Sequence, residues 1–164
     1  MENRFFEDRK DCFDKGTKAE QIVYRYLTDK REMKLTNVTS ERKYQDIDVD
    51  FLLDYKNRTF YVEVKTDYKI SQTKRFLLEY NTYKDDKVWR GWMDKSKTNY
   101  LIWYSFELNT MFILDFRKLK EWADTQPKKR IKNPRENCPM DAVFIDISKC
   151  RELGILREEI KDVA

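Results

Sequence analysis

Apolar residues recur along this chain in two rhythms. Ala19, Ile22, Val23, Tyr26 and Leu27 fall at i, i+3, i+4, i+7 and i+8, the spacing that turns one helix face toward a core. Gly16 and Thr17 mark the start of that helix. The first ten or so residues predict a separate short helix, with Phe5, Phe6 and Phe13 on its apolar side. From residue 47 the period becomes two. Ile47, Val49, Phe51 and Leu53 alternate with Asp48, Asp50 and Leu52, and Phe60, Val62 and Val64 alternate with Tyr61, Glu63 and Lys65. The polar segment DYKN (54–57) joins these runs, so the pair reads as a β-hairpin. Residues 33–39 supply a strand ahead of it.

Further strands are predicted over 75–80, 99–106 and 110–116, the last two joined by a turn at 107–109. A short helix follows at 118–123, then a basic, proline-flanked loop at 127–139, a strand at 141–147 and a C-terminal helix. The order is a helix, a three-strand meander, more strands and small helices. That is an α/β (α+β) domain with a mixed sheet, not a doubly wound nucleotide fold. Three scattered glycines cannot build a GxGxxG or Walker A loop.

Composition narrows the chemistry. The 164 residues correspond to one domain over 1–164, and 40% hydrophobic residues suffice for a core. Lys plus Arg exceed Asp plus Glu by 34 to 30, a net charge of +4 that permits a polyanionic partner without demanding one. Cys12, Cys138 and Cys150 form no CxxC pair, which argues against a zinc ribbon or a disulfide scaffold and for a reducing compartment. The chain has no histidine, which excludes Ser-His-Asp and Cys-His hydrolases and His-ligated zinc enzymes. Acid–base or metal chemistry falls to Asp, Glu, Lys or Tyr. No stretch approaches the ~20 apolar residues of a membrane span, so a cytoplasmic protein is expected.

The hairpin carries the chemistry. Strand alternation puts Asp48 and Asp50 on one face, and Glu63 and Lys65 on one face of the next strand. If the charged faces coincide, carboxylates crowd together unless a cation offsets them. A hard divalent ion with oxygen ligands, Mg²⁺ above all, is the natural occupant. Such an ion polarises phosphoryl oxygens and acidifies water, and neither effect needs histidine.

At these residues the sequence resembles the PD-(D/E)XK nuclease superfamily. An acidic residue on one strand precedes Glu63-Val64-Lys65 on the next, and Glu20 stands on an upstream helix. The order resembles Holliday-junction resolvases and some restriction endonucleases, and the stretch 91–101 (GWMDKSKTNYL) is similar to small phage and bacterial nucleases. The resemblance covers about residues 16–105, with 106–164 outside it. It implies a restriction-endonuclease-like mixed sheet flanked by helices and a metal-dependent endonuclease acting on DNA. Branched or junction DNA, as in recombination, would be the substrate, two copies would pair as a homodimer, and a bacterial or phage-infected cell would be the setting. Asp50, Glu63 and the Val64 carbonyl would ligate Mg²⁺, with Mn²⁺ as substitute, and Lys65 would act on the attacking water. Glu20 would ligate a second metal or orient a water, and Gln72 would be a further polar active-site residue. Asp50 is favoured as the metal aspartate, with Asp48 in reserve.

Each assignment has a structural competitor. Thr17-Lys18-Ala19-Glu20 fits a helix capping box. Glu63 and Lys65 fit an ordinary ion pair on a solvated strand. Lys128, Lys129, Arg130, Lys132 and Arg135 suit a phosphate backbone or a plain soluble loop. Trp89, Trp92 and Trp103 suit base stacking or the core. Within the family the alternatives are a sequence-specific restriction endonuclease and a non-cleaving DNA-binding module on the same fold.

Overall fold

The computed structural model of the protein describes residues 3–66, 69–133 and 138–164, with side chains described from residue 14 onward. Arg135 therefore lies outside the described residues, as do the side chains of Phe5, Phe6, Cys12 and Phe13. Among the described residues no helix is long and apolar enough to cross a membrane.

The chain opens with one long helix, α1 (Asn3–Arg25), which runs into a π-helical turn at Tyr26–Lys30. The two helices expected here are one. Gly16 sits in mid-helix, and a Cβ there would meet nothing within 4 Å. Glycine in a helix interior costs about 1 kcal/mol relative to alanine, which the buried face of Ala19, Val23 and Leu27 outweighs. This also removes the capping box. Thr17 and Glu20 stand inside a helix, where the amides already have intrahelical partners.

Next come β1 (Lys34–Asn37), a one-turn helix α2 (Arg42–Gln45), β2 (Phe51–Tyr55) and β3 (Arg58–Thr66). The expected hairpin is present. Phe51 lies opposite Val62 and Tyr55 opposite Arg58. Lys56 and Asn57 make the turn with φ of 47° and 59°, the double left-handed geometry that matches strand twist. The expected strand over 47–53, however, starts only at Phe51. Residues 46–48 form a turn, and Asp48 is left-handed at φ 49°. Ile47 and Val49 alternate in sequence without being strand residues.

A one-turn helix α3 (Ile70–Thr73) leads to β4 (Arg75–Lys84), β5 (Lys87–Arg90) and α4 (Trp92–Lys95). The chain continues through β6 (Tyr100–Ser105), β7 (Thr110–Asp115), α5 (Phe116–Asp124), β8 (Lys129–Lys132), β9 (Pro139–Asp146), α6 (Ile147–Glu152) and β10 (Leu156–Lys161). The basic loop thus contains an edge strand, β8. The expected C-terminal helix is the short α6, and a further strand follows it.

The mixed α/β class expected from the sequence is the class found, in two sheets. The larger has the order β1-β2-β3-β6-β7-β10, and the smaller β5-β4-β9-β8. β3 pairs in parallel with β6, Val62 opposite Tyr100, while the other pairings are antiparallel. Alternation on β6 serves both faces of the larger sheet. Ile102 and Tyr104 pack with Ala19 and Val23 of α1, whereas Leu101 and Trp103 pack with Phe76, Leu78 and Ile145 of the smaller sheet. The layers are therefore helix α1, the six-stranded sheet, then the smaller sheet with α5 and α6.

Candidate active site

The site forms where β2 stops short of its neighbour. β2 begins at Phe51, opposite Val62, so β3 continues beyond it without a strand on that side. Asp50 closes the register. Its N–H donates to the Val62 carbonyl at 2.9 Å, and its Oδ2 accepts from the Val64 N–H at 2.7 Å. A carboxylate thus takes the place of the next backbone partner. In a strand, a residue's N–H and C=O face the same neighbour, so the Val64 carbonyl is turned toward Asp50 as well.

Period two does the rest. Val62 and Val64 pack toward α1, so Glu63 and Lys65 face the opposite way. Glu63 is 4% exposed, which rules out a solvated strand position. It forms an ion pair with the Lys65 ammonium, which also stands 5.5 Å from the Trp92 ring centroid. Asp48 arrives from the turn before β2, not from strand alternation, and its Oδ1 pairs with Lys95 at 3.3 Å. The loop that bears it is tied down by Lys97 N–H donating to the Ile47 carbonyl at 3.0 Å. Glu20 comes from the opposite layer, because α1 packs on β3.

Electrostatics mark these residues as one group. Burial, then the nearby Asp50, raises the Glu20 carboxyl to about 7, with Lys65 opposing. Burial also raises Glu63, to about 8, against the pull of Lys65. Asp50 is raised by burial, and the Val64 N–H limits the rise. For Lys65, burial acts downward, but Glu63, Asp48 and Asp50 outweigh it and hold the ammonium above its usual value. Lys65 is therefore a cation at neutral pH.

The donor set suits a hard divalent cation. Glu63 Oε2 and Asp48 Oδ2 are buried without a hydrogen-bond partner. Carboxylate oxygens without donors are costly to bury, and an oxygen-seeking ion relieves that cost. Among the described residues no three or more acidic, thiol or imidazole groups stand ready as a cage. What the site offers is Asp50 and Glu63 with the Val64 carbonyl, and Asp48 and Glu20 beside them.

Other expected site residues lie apart. Gln72 is exposed on α3, and among the described residues no hydrogen bond joins it to this group. Lys128 lies 4.1 Å over the Tyr80 ring. Arg130 is bound to Asp141 at 2.5 Å and stacked 3.9 Å over Tyr83, while Lys129 and Lys132 are exposed on β8. Trp103 is core, and Trp89 is exposed. Sequence reading missed Lys95, which meets Asp48 across 47 residues of chain. No periodicity reports so distant a pair. Its position within the stretch 91–101 was the only signal. That stretch is anchored at Gly91, where a Cβ would stand 2.5 Å from the Glu79 carbonyl oxygen. Asp94 secures it further through Lys120 at 3.1 Å.

No family model matches the sequence, and no curated protein matches it. Among solved structures, the fold is similar to that of a bacterial homing endonuclease, I-Ssp6803I. The TM-score is 0.49 at 18% identity, over 73% of this chain and 82% of that one. This likeness concerns the fold alone and assigns neither activity nor substrate to this chain.

Proposed function

We propose that this chain is a divalent-metal-dependent endonuclease that hydrolyses DNA phosphodiester bonds. The observation that carries the reading is the convergence of Glu20, Asp50, Glu63 and Lys65 at the end of β2, with a carboxylate oxygen of Glu63 buried and unpartnered.

Asp50, Glu63 and the Val64 carbonyl would hold Mg²⁺ or Mn²⁺, with Asp48 or Glu20 adjoining, and the ion would supply positive charge against the phosphate and acidify water. The remaining roles belong to the chain. The Lys65 ammonium, fixed between Glu63 and Trp92, donates to a non-bridging phosphate oxygen and offsets the charge that grows there. Its raised pKa makes it a charge donor and not a base. Glu20, whose carboxyl responds to the Asp50 and Lys65 charges, would ligate a second metal or orient the attacking water, which loses its proton to solvent. The water oxygen bonds to phosphorus as the bond to the leaving sugar oxygen breaks, and solvent protonates that oxygen.

The finer reading is a structure-selective enzyme that acts on branched DNA as a homodimer. The test is cleavage of supercoiled plasmid, linear duplex, single strands and a four-way junction by the wild type and Lys65→Ala, with Mg²⁺, Mn²⁺ or EDTA. Metal-dependent cutting lost in Lys65→Ala is the expected result. Tight binding with no cutting in either metal would make the chain a DNA-binding module instead. Sedimentation of the complex tests the dimer.

A further inference from the structure

β4 and β5 form a hairpin closed by Asp85 and Asp86, both left-handed at φ 52° and 55°. Its second strand is exposed at every position. Val88 is 60% exposed and Trp89 58%. Natural edge strands rarely present large apolar groups so openly unless they serve an interaction. Trp89 also differs from the other tryptophans. Trp103 is core, Trp92 and Trp122 pack against that core, and among the described residues Trp89 meets no other ring. Lys87 and Arg90 flank it on the same strand. Among the described residues neither has an ion-pair partner.

The position matters as much as the exposure. Three residues beyond Trp89 the chain reaches Trp92, which faces the Lys65 ammonium. Three residues of fully extended chain span at most ~11 Å. The C-terminal end of β5 therefore lies within that reach of Trp92, which borders the candidate active site, although the strand belongs to the other sheet.

We propose that Trp89 stacks on an unpaired base of the substrate, with Lys87, on the same face of β5, neutralising an adjoining phosphate. The proposal rests on the nuclease reading above and narrows its substrate class. An indole can stack only on a free base face. Inside an intact duplex both faces of every base are covered, whereas strand ends, flaps and branch points expose them. Cations beside an aromatic ring are the combination that holds a single strand by backbone and base together. The favoured substrate is therefore DNA opened within a few nucleotides of the bond to be cut.

The test is fluorescence-anisotropy binding in Mg²⁺ with the Lys65→Ala chain, which keeps the DNA intact, alone and combined with Trp89→Ala or Trp89→Phe. The ligands are a splayed-arm fork, a 5′ flap and a relaxed, fully paired circular duplex closed without ends or loops. Trp89→Ala is expected to weaken fork and flap binding about tenfold or more, Trp89→Phe to restore most of it, and closed-duplex binding to change less than about twofold. Thermal midpoints checked in parallel should coincide, because the side chain is exposed. An equal loss on the closed duplex, or no loss on any ligand, overturns the stacking role and leaves the nuclease reading standing. If the Trp89-bearing chain binds no DNA and the wild type cuts none, both readings fail.

Discussion

Raising the pH from 5 to 8 in the presence of a chelator should destabilise this protein, opposite to the usual behaviour of paired carboxylates. The cause is the buried acidic group. In the unfolded chain Glu63 ionises near 4.5, whereas in the fold burial holds it up to about 8. Between those values the folded state keeps a proton that the unfolded state has released, so stability falls with rising pH. The contribution is intact below about pH 4.5 and lost by about pH 8. One pKa unit corresponds to about 1.4 kcal/mol, so Glu63 alone accounts for at most ~4 kcal/mol between pH 5 and pH 8. Glu20 and Asp50 act in the same direction. Glu20 adds less per unit because it is half-exposed and solvent screens it. No histidine titrates in this window, since the chain has none. The assay is urea unfolding at pH 5, 6, 7 and 8 in EDTA, for the wild type and Glu63→Gln. The variant should lose most of the slope. Saturating Mg²⁺ should flatten the wild-type curve, since ions bind the ionised carboxylates, and ligand at 100 Kd adds about 2.7 kcal/mol. Wild-type stability that is flat or rising from pH 5 to 8 in EDTA would refute the reasoning.

Other outcomes follow from the same geometry. Asp50→Asn should reduce metal-dependent cleavage by roughly 100-fold or more, whereas Asp48→Asn, whose carboxylate serves Lys95, should retain activity within about tenfold; the ratio of single-turnover rates decides between them. Gly91→Ala should cost about 1–3 kcal/mol in a denaturation series, since its Cβ would meet two backbone carbonyls; an unchanged midpoint would contradict the close approach. Replacing Lys56-Asn57 by Asn-Gly should stabilise the fold by about 1 kcal/mol through the left-handed turn, read from the same urea midpoints. Lys129→Ala and Lys132→Ala should each lower the salt-dependence slope of duplex binding by about 0.9, while Arg130→Ala, already engaged by Asp141, should leave the slope unchanged.

What the sequence revealed follows from which faces are buried. The β2–β3 hairpin, β6 and β7 were legible because each has a face packed in the core, and burial is what imposes period two. β5, β8 and β10 were missed or read as loop or helix. All three are edge strands in which half or more of the residues are Lys, Arg or Glu, so no alternation marks them. The start of β2 was misread because Ile47 and Val49 mimic alternation while Asp48 turns the chain. Glu63 and Lys65 could be placed on one face from the sequence because a strand fixes that relation locally. Lys95 could not, because its approach to Asp48 depends on how the smaller sheet delivers α4.

The two-residue turn at Lys56-Asn57 has a consequence for the order of folding. Asp50 and Val64 are only 14 residues apart, and a hairpin with so short a loop closes in about 1–10 μs. The parallel pairing of β3 with β6 must instead close the 38 residues between Tyr61 and Asn99, and Lys95 and Glu20 arrive from still other segments. The chain therefore brings Asp50 and Glu63 together before Lys95 or the covering layers are in place. Early folding would have to bear the repulsion of two carboxylates at close range, relieved only by Lys65 on the same strand. The lysine two residues from Glu63 thus serves as the hairpin's own counter-ion during assembly, and refolding of Lys65→Ala should slow as the pH rises.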